Sequence, residues 1–277
     1  MTWALKTRRS QKLIVGPWIH GPANIDNQFS GDFDFGSDAA LNINDLRLPW
    51  FDHWAKDAEI GVMDEPPVRI FVMGREDWII PGTQHTNFYL HGGTSGSANS
   101  LNDGTLSTVP PHGAENPASY TYDPANLVPS RGGNTQTIPN GAFSQRDVEV
   151  RCLTFTSEPL TEEIEATGRV SAVLYAASSA LDTDWVVRVT DVHPDGHSRP
   201  IAYGILRARY RDFFEKRTLL SPGQIYKYDI DLWATSNAFL QGHRIRVTIT
   251  SSCFPRFDSN LNTGGPIHKE AVGQVAI

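Results

Sequence analysis

The sequence predicts a mainly β protein: a jelly-roll β-sandwich preceded by a short region that mixes strand and helix. Three observations point there. From Pro66-Pro67 onward the chain alternates apolar and polar residues in many short runs. Turn signals such as PDG, PG and QGH separate those runs. Before Pro66 the text differs, with one short continuous apolar run, an aperiodic loop, and then apolar residues at helical spacing.

Leu13 to Val15 is the continuous run, of the kind that suits a strand covered on both faces. GPWIHG follows and places His20 on a Gly/Pro-rich loop. Gly21 to Asp38 is rich in Gly, Asp, Asn and Ser and carries no period. Asn44-Asp45 then offers a helix N-cap, and Leu46, Trp50 and Trp54 fall at i, i+4 and i+8. The spacing predicts a helix to about Asp57 that buries one aromatic stripe. The alternating runs are Val68 to Gly74, Thr86 to Gly92, Ala118 to Pro124, Cys152 to Ser157, Gly168 to Ser178, Asp184 to Val192, Tyr203 to Arg211, Ile225 to Trp233 and Arg244 to Ser252. Gly92 to Ala142 is Gly/Ser/Asn/Pro-rich and reads as long loops around one or two strands. Many short antiparallel strands with long connections predict two packed sheets.

Composition narrows the function. With 277 residues, 39% hydrophobic and 20% charged, the chain has material for one large or two ordinary domains. A formal charge of -7 argues against nucleic acid as partner, since phosphate binding needs concentrated Lys and Arg. No apolar run approaches the roughly 20 residues of a membrane span. Met1 to Ser10 is basic but lacks the apolar core of a secretory signal, so a cytoplasmic location is the default expectation. Cys152 and Cys253 read as two buried free thiols, and no Cys/His group has zinc spacing. No cofactor is expected.

A histidine on a Gly-Pro turn after a strand is how an α/β-hydrolase presents its general base. GPWIHG, LPWFDHWAK, PPVRIFVMGREDW, FYLHGG, LDTDWVVRVTDVHPDG, RARYR and IDLWATSNAFLQGHRIRVTITSSCFPRFDSNLNTGG occur here in that order. Together they resemble the C-terminal part of the cocaine esterase / X-Pro dipeptidyl-peptidase (CocE/NonD) family of serine hydrolases, over essentially the whole chain. The resemblance implies a C-terminal remnant of an α/β-hydrolase domain over residues 1–61 and a jelly roll over 66–277 that helps wall the substrate pocket. It implies serine-type hydrolysis of a small ester, amide or peptide substrate, with His20 as the triad histidine. Trp18, two residues earlier, is the pocket-edge candidate.

The triad in such enzymes runs in the order Ser, acid, His, with the serine on a G-x-S-x-G elbow. The 19 residues before His20 hold neither an elbow nor an Asp or Glu. The expectation is therefore that the chain starts near the end of the hydrolase domain and is inactive alone. The family continues past NTGG into a further strand, so open sheet edges and self-association through them are expected. A reading from another class is a stand-alone jelly-roll module binding carbohydrate or a protein, which coplanar aromatics exposed on one sheet face would favour.

Other constellations have plain structural readings. Asp182 and Asp184 could chelate, but read as a strand-entry turn held by backbone N–H groups or a nearby Arg. Asn260 and Asn262 in FDSNLNTGG read as local caps rather than a calcium or sugar loop. Of the other aromatics that could line an acyl pocket (Phe51, Trp78, Trp185, Trp233), none is singled out, and Trp50 and Trp54 read as core. His53, His193, His197 and His243 read as solvated. Arg207, Arg209 and Arg211 read as one strand face making salt bridges across the sheet.

Overall fold

A computed structural model of the chain describes residues 11–21, 24–74, 84–133 and 140–277. Trp78 lies outside them. Strands are β1 (Leu13–Val15), β2 (Phe29–Ser30), β3 (Phe33–Asp34), β4 (Val68–Ile70), β5 (Tyr89–His91), β6 (Gly104–Ser107), β7 (Leu153–Thr156), β8 (Ile164–Ala176), β9 (Asp184–Val192), β10 (Ser198–Arg207), β11 (Tyr226–Phe239) and β12 (Arg244–Thr250). Helices are α1 (Ile43–Lys56) and α2 (Arg146–Glu149).

Two layers form a sandwich. One is a six-stranded sheet in the order β10-β9-β12-β7-β6-β5, and the other is the β8–β11 ribbon. Alternation explains the core. Trp185 and Val187 of β9, Ile245 and Ile249 of β12, and Leu153 and Phe155 of β7 meet Tyr228, Ile230 and Leu232 of β11 between the layers. One pair, β6–β7, is parallel, and the rest of the sandwich pairs are antiparallel.

The opposite face of the six-stranded sheet is polar, yet it is buried. Arg188, Thr190, Thr154, Thr156, Arg246 and Thr248 are all at most 3% exposed. Loop 95–103 and α2 cover it and supply partners to Arg246 and Ser198. Arg246 donates to Glu149 Oε2 at 2.5 Å, to Thr156 Oγ1 at 2.8 Å and to the Ser97 carbonyl at 2.9 Å. Ser198 Oγ donates to Glu149 Oε1 at 2.5 Å.

The layers join where β10 crosses β11. A Cβ on Gly204 would stand 2.1 Å from the Asp231 carbonyl oxygen, a backbone atom that cannot yield. Gly204→Ala is expected to cost about 3 kcal/mol, as overpacking against backbone does. A melting temperature within about 2 °C of the parent would refute this close approach.

Several elements differ from the sequence reading. Helix α1 begins two residues early because Asn42 is its N-cap, its side chain accepting from the Asn44 N–H at 3.0 Å. None of its residues is buried, and Leu48, Phe51 and Trp54 are 60%, 59% and 49% exposed. Of the stripe read from the sequence, Leu46 and Trp50 are half-buried and Trp54 is exposed. Ala118 to Pro124 is no regular strand and makes only a bridge, Tyr122 to Ala276. That bridge ties down the C-terminal residues, as does the Ser179 N–H donating to the Ile277 carbonyl at 2.8 Å. Strand β10 ends at Arg207, and a 3-10 turn (Ala208–Tyr210) follows, so Arg207, Arg209 and Arg211 do not share a strand face. Both cysteines are free and buried, as expected.

Candidate functional site

The histidine loop is built from a parallel unit. β1 leads through a long connection containing α1 to β4, and the two pair in parallel with Leu13 opposite Val68 and Val15 opposite Ile70. A strand–helix–strand crossover between parallel neighbours is the α/β construction. It stands beside an otherwise mainly antiparallel molecule. His20 projects from the turn after β1 and is exposed. Asn24 closes that turn, its Nδ2 donating to the His20 carbonyl at 2.7 Å and its N–H to the Gly21 carbonyl at 3.1 Å. Gly21 has φ +125°, a conformation that side chains rarely adopt.

Trp18 moors the loop. Its Nε1 donates to the Ala39 carbonyl at 2.6 Å, and its ring fills the space where a Cβ on Gly16 would stand. Ala39 belongs to a small apolar cluster with Phe33, Phe35 and Phe71. That cluster in turn rests on the sandwich. Arg199 of β10 lies over the Phe33 and Phe35 rings at 5.7 and 5.5 Å, and Phe33 packs on His193 at 5.6 Å. The β2–β3 turn docks as well, with the Asp32 N–H donating to the Ala142 carbonyl at 2.8 Å.

Beneath Phe33 sits a cluster that sequence reasoning missed. Asp191 is fully buried and accepts from Arg199 Nη2 at 2.9 Å, and its Oδ1 lies 2.8 Å from His243 Nδ1. His193 and His243 stack at 4.4 Å between ring centroids. His243 is 12% exposed, so it is not the solvated turn residue that its sequence context suggested, whereas His197, at 56%, is. Likewise His53 is half-buried against Trp54 and the Ala58 carbonyl. Ligand atoms of Asp191, His193 and His243 lie within 4.8 Å of one another, the one group among the described residues able to hold a metal ion. A cation there would compete with the Arg199 guanidinium for the same carboxylate.

Burial holds the His193 imidazole below its ordinary range, against the opposing pull of Asp191 and with help from His243 and Arg199. A histidine whose folded pKa is depressed binds fewer protons than in the unfolded chain. Its contribution is present above the unfolded value of about 6.5 and is lost as pH falls below it. Stability is therefore expected to drop between about pH 6.5 and 5, and His193→Gln should flatten that limb. Identical urea midpoints at pH 7.5 and 5.5 would contradict it.

The acid pair also finds its partners. Asp182 accepts from the Arg209 N–H at 2.9 Å and from Arg209 Nε at 2.6 Å. Asp184 takes Arg207 in two bonds of 2.8 and 2.9 Å. Asn260 Nδ2 bridges both carboxylates at 2.8 Å, and its Oδ1 caps the Asn262 N–H at 2.9 Å. Burial raises the Asp184 pKa, with the Arg207 hydrogen bonds and charge opposing. These groups are structural, as their sequence context implied. Trp185 lies in the core at 7% exposure, while Trp233 is 72% exposed at a bulge in β11.

Comparison with known proteins fits this arrangement. The family model described as the X-Pro dipeptidyl-peptidase C-terminal non-catalytic domain matches residues 60–275, which leaves His20 outside the match. A curated relative, "Cocaine esterase" of Rhodococcus sp. (strain MB1 Bresler), is 41% identical over 98% of this chain and 49% of its own length. Among solved structures, an aminopeptidase from a marine sediment Thaumarchaeota archaeon aligns with a TM-score of 0.80 at 28% identity, over 96% of this chain and 46% of that one. An α-amino acid ester hydrolase does so at 0.80 and 28%, over 99% and 48%. The chain thus spans about half the length of the relatives it matches. It belongs to the X-Pro dipeptidyl-peptidase C-terminal domain family, the C-terminal part of hydrolases of the cocaine esterase (CocE/NonD) type.

Proposed function

We propose that this chain supplies the general base, His20, and a pocket-walling sandwich to a serine-type acyl hydrolase acting on a small ester, amide or peptide. The carrying observation is an exposed histidine on the turn that follows a parallel strand of a strand–helix–strand unit. In this reading residues 1–61 are the end of a hydrolase domain and 66–277 the jelly roll. Serine and acid come from polypeptide outside these 277 residues. The exposed side chains of Leu48, Phe51 and Trp54 on α1 suit packing by that polypeptide. His20 would take the serine proton as the serine attacks the substrate carbonyl, then return it to the leaving group. In the second half it would deprotonate the water that hydrolyses the acyl-enzyme. Trp18, held to Ala39, would edge the pocket beside it.

The test is assembly. Alone, the chain is expected to turn over p-nitrophenyl acetate no faster than free imidazole. Joined to the N-terminal half of the Rhodococcus cocaine esterase, it should show enzymatic turnover. His20-dependent turnover by the isolated chain, or a folded but inactive assembly, would overturn the reading.

A free-standing binding module is the weaker reading, because the sheets bury Trp185, Tyr228, Phe155 and Phe239 between them. Tyr175 and Trp233 are exposed, but Tyr175 lies near one end of the β8–β11 ribbon and Trp233 at the bulge midway along it. Self-association has a place to occur. β8 pairs only with β11, so its other edge is open among the described residues, and Val173 and Tyr175 beside it are exposed. We expect concentration-dependent dimers by light scattering that Val173→Lys weakens; a monomer at all concentrations would refute it.

A further inference from the structure

Four arginines are nearly fully buried in the sandwich: Arg188, Arg199, Arg209 and Arg246. Three have a carboxylate within hydrogen-bond reach, namely Asp191, Asp182 and Glu149. Arg188, 3% exposed on the polar face of β9, has no such ion pair among the described residues. Its Nη2 lies 3.6 Å from the Cys253 sulfur, a weak acceptor. Its Nη1 is shut off from solvent with no hydrogen-bond partner. The other nearby thiol does not help, because burial pushes Cys152 up to about 11 and keeps it protonated. A buried guanidinium without a counter-charge is costly, and native chains compensate such charges.

Arg188 borders a cavity of about 20 Å³, whose wall also includes Arg131, Gly132, Gly133, Gln145 and Tyr203. Arg188 and Arg131 are among its lining residues and no carboxylate residue is. Asp147, 3.5 Å from Arg131, is itself 71% exposed. Residues 134–139, which follow Gly133, carry no acidic side chain. The backbone is shaped to leave this space. Gly132 and Gly133 have φ of +69° and +105°, and a Cβ on Gly133 would stand 2.9 Å from the Tyr203 hydroxyl. Gln145 is uncharged and so offers no counter-charge; its Nε2 donates to the Arg131 and Phe143 carbonyls. A volume of this size holds one water-sized occupant. The space is half-open, and its small volume suits a monatomic ion better than phosphate, sulfate or a carboxylate. A water would give Arg188 an acceptor but no charge.

We infer that this cavity is a halide site, in which a chloride ion accepts from Arg188 Nη1 and is balanced by the Arg188 and Arg131 charges. The ion is a structural counter-charge for β9, remote in sequence from the histidine loop and independent of its chemistry.

The experiment is thermal unfolding of the full chain in sodium gluconate, replaced stepwise by sodium chloride or bromide at fixed ionic strength. Raising chloride from about 1 to about 100 mM is expected to raise Tm by about 3 °C, the size of a one-site linkage at several times Kd. Arg188→Met should abolish the dependence. If that variant does not fold, Arg131→Gln, altered at a half-exposed side chain, should shift the halide midpoint at least threefold. Crystals soaked in bromide should show an anomalous peak against Arg188 Nη1. A halide-independent Tm in the parent protein, or bromide found only at surface positions, would overturn the inference.

Discussion

Replacing His20 by alanine in the assembled hydrolase is expected to lower kcat about 10⁴-fold or more while KM moves little. A triad histidine both takes and returns a proton, so its loss removes transition-state stabilisation that ground-state binding does not use. The side chain is exposed at a turn closed by Asn24, whose Nδ2 donates to the His20 carbonyl and not to the imidazole, so folding should not suffer. The melting temperature should therefore stay within about 1 °C, which separates a chemical role from a structural one. His20→Gln should lose as much activity, because an amide hydrogen-bonds but does not accept a proton at neutral pH. A variant retaining activity within tenfold of the parent would remove His20 from the mechanism.

The second large effect is on stability. Arg209→Met is expected to cost about 3–5 kcal/mol, a fall in Tm of about 10 °C. Asp182 is fully buried, and the substitution strips it of the Arg209 Nε bond, leaving only the Arg209 N–H and Asn260 Nδ2. Arg209 Nη1 also donates to the Gly265 carbonyl at 2.8 Å, so the FDSNLNTGG segment should loosen with it. Adding Asp182→Asn should recover part of the loss, since the stranded charge and not the missing contact dominates. A single variant that loses under 1 kcal/mol by urea titration would show that water reaches this pair.

These two predictions draw on parts of the molecule that were unequally legible in the sequence. The strands of the sandwich were readable because one side of each is apolar, as in Trp185, Val187 and Val189 of β9. The fate of the other side was not. Arg188 and Thr190 alternate in the same way whether they face water or a layer of loops, and here loops cover them. His243 and His193 were misplaced for a related reason. A turn signal reports local backbone conformation, whereas the burial of these rings comes from Phe33 and Arg199 on distant segments. The helix erred in the opposite direction, since an apolar stripe announces a need for cover but not the presence of it. The acid pair was read correctly because its D-x-D spacing lacks the Gly and Glu of a calcium loop, although its arginines arrive from 27 and 23 residues along the chain. His20 was visible only through its motif, spacing alone being silent about it.

Residues 68–74 bear on how the two parts of the molecule move. Val68 to Ile70 pair with β1, and three residues later the Met73 N–H donates to the Ser236 carbonyl at 3.1 Å while the Ala238 N–H donates to the Met73 carbonyl at 2.6 Å. A single extended run is thus clamped to the histidine unit at one end and to the sandwich at the other, with Phe71 and Val72 buried between. Mechanically this is a strut and not a tether. A bending load on the histidine loop would pass directly into β11, because the seven residues offer no slack in which to dissipate it. The distance from His20 to the sandwich would then be set when the chain folds, and a substrate arriving there would meet a wall already in position.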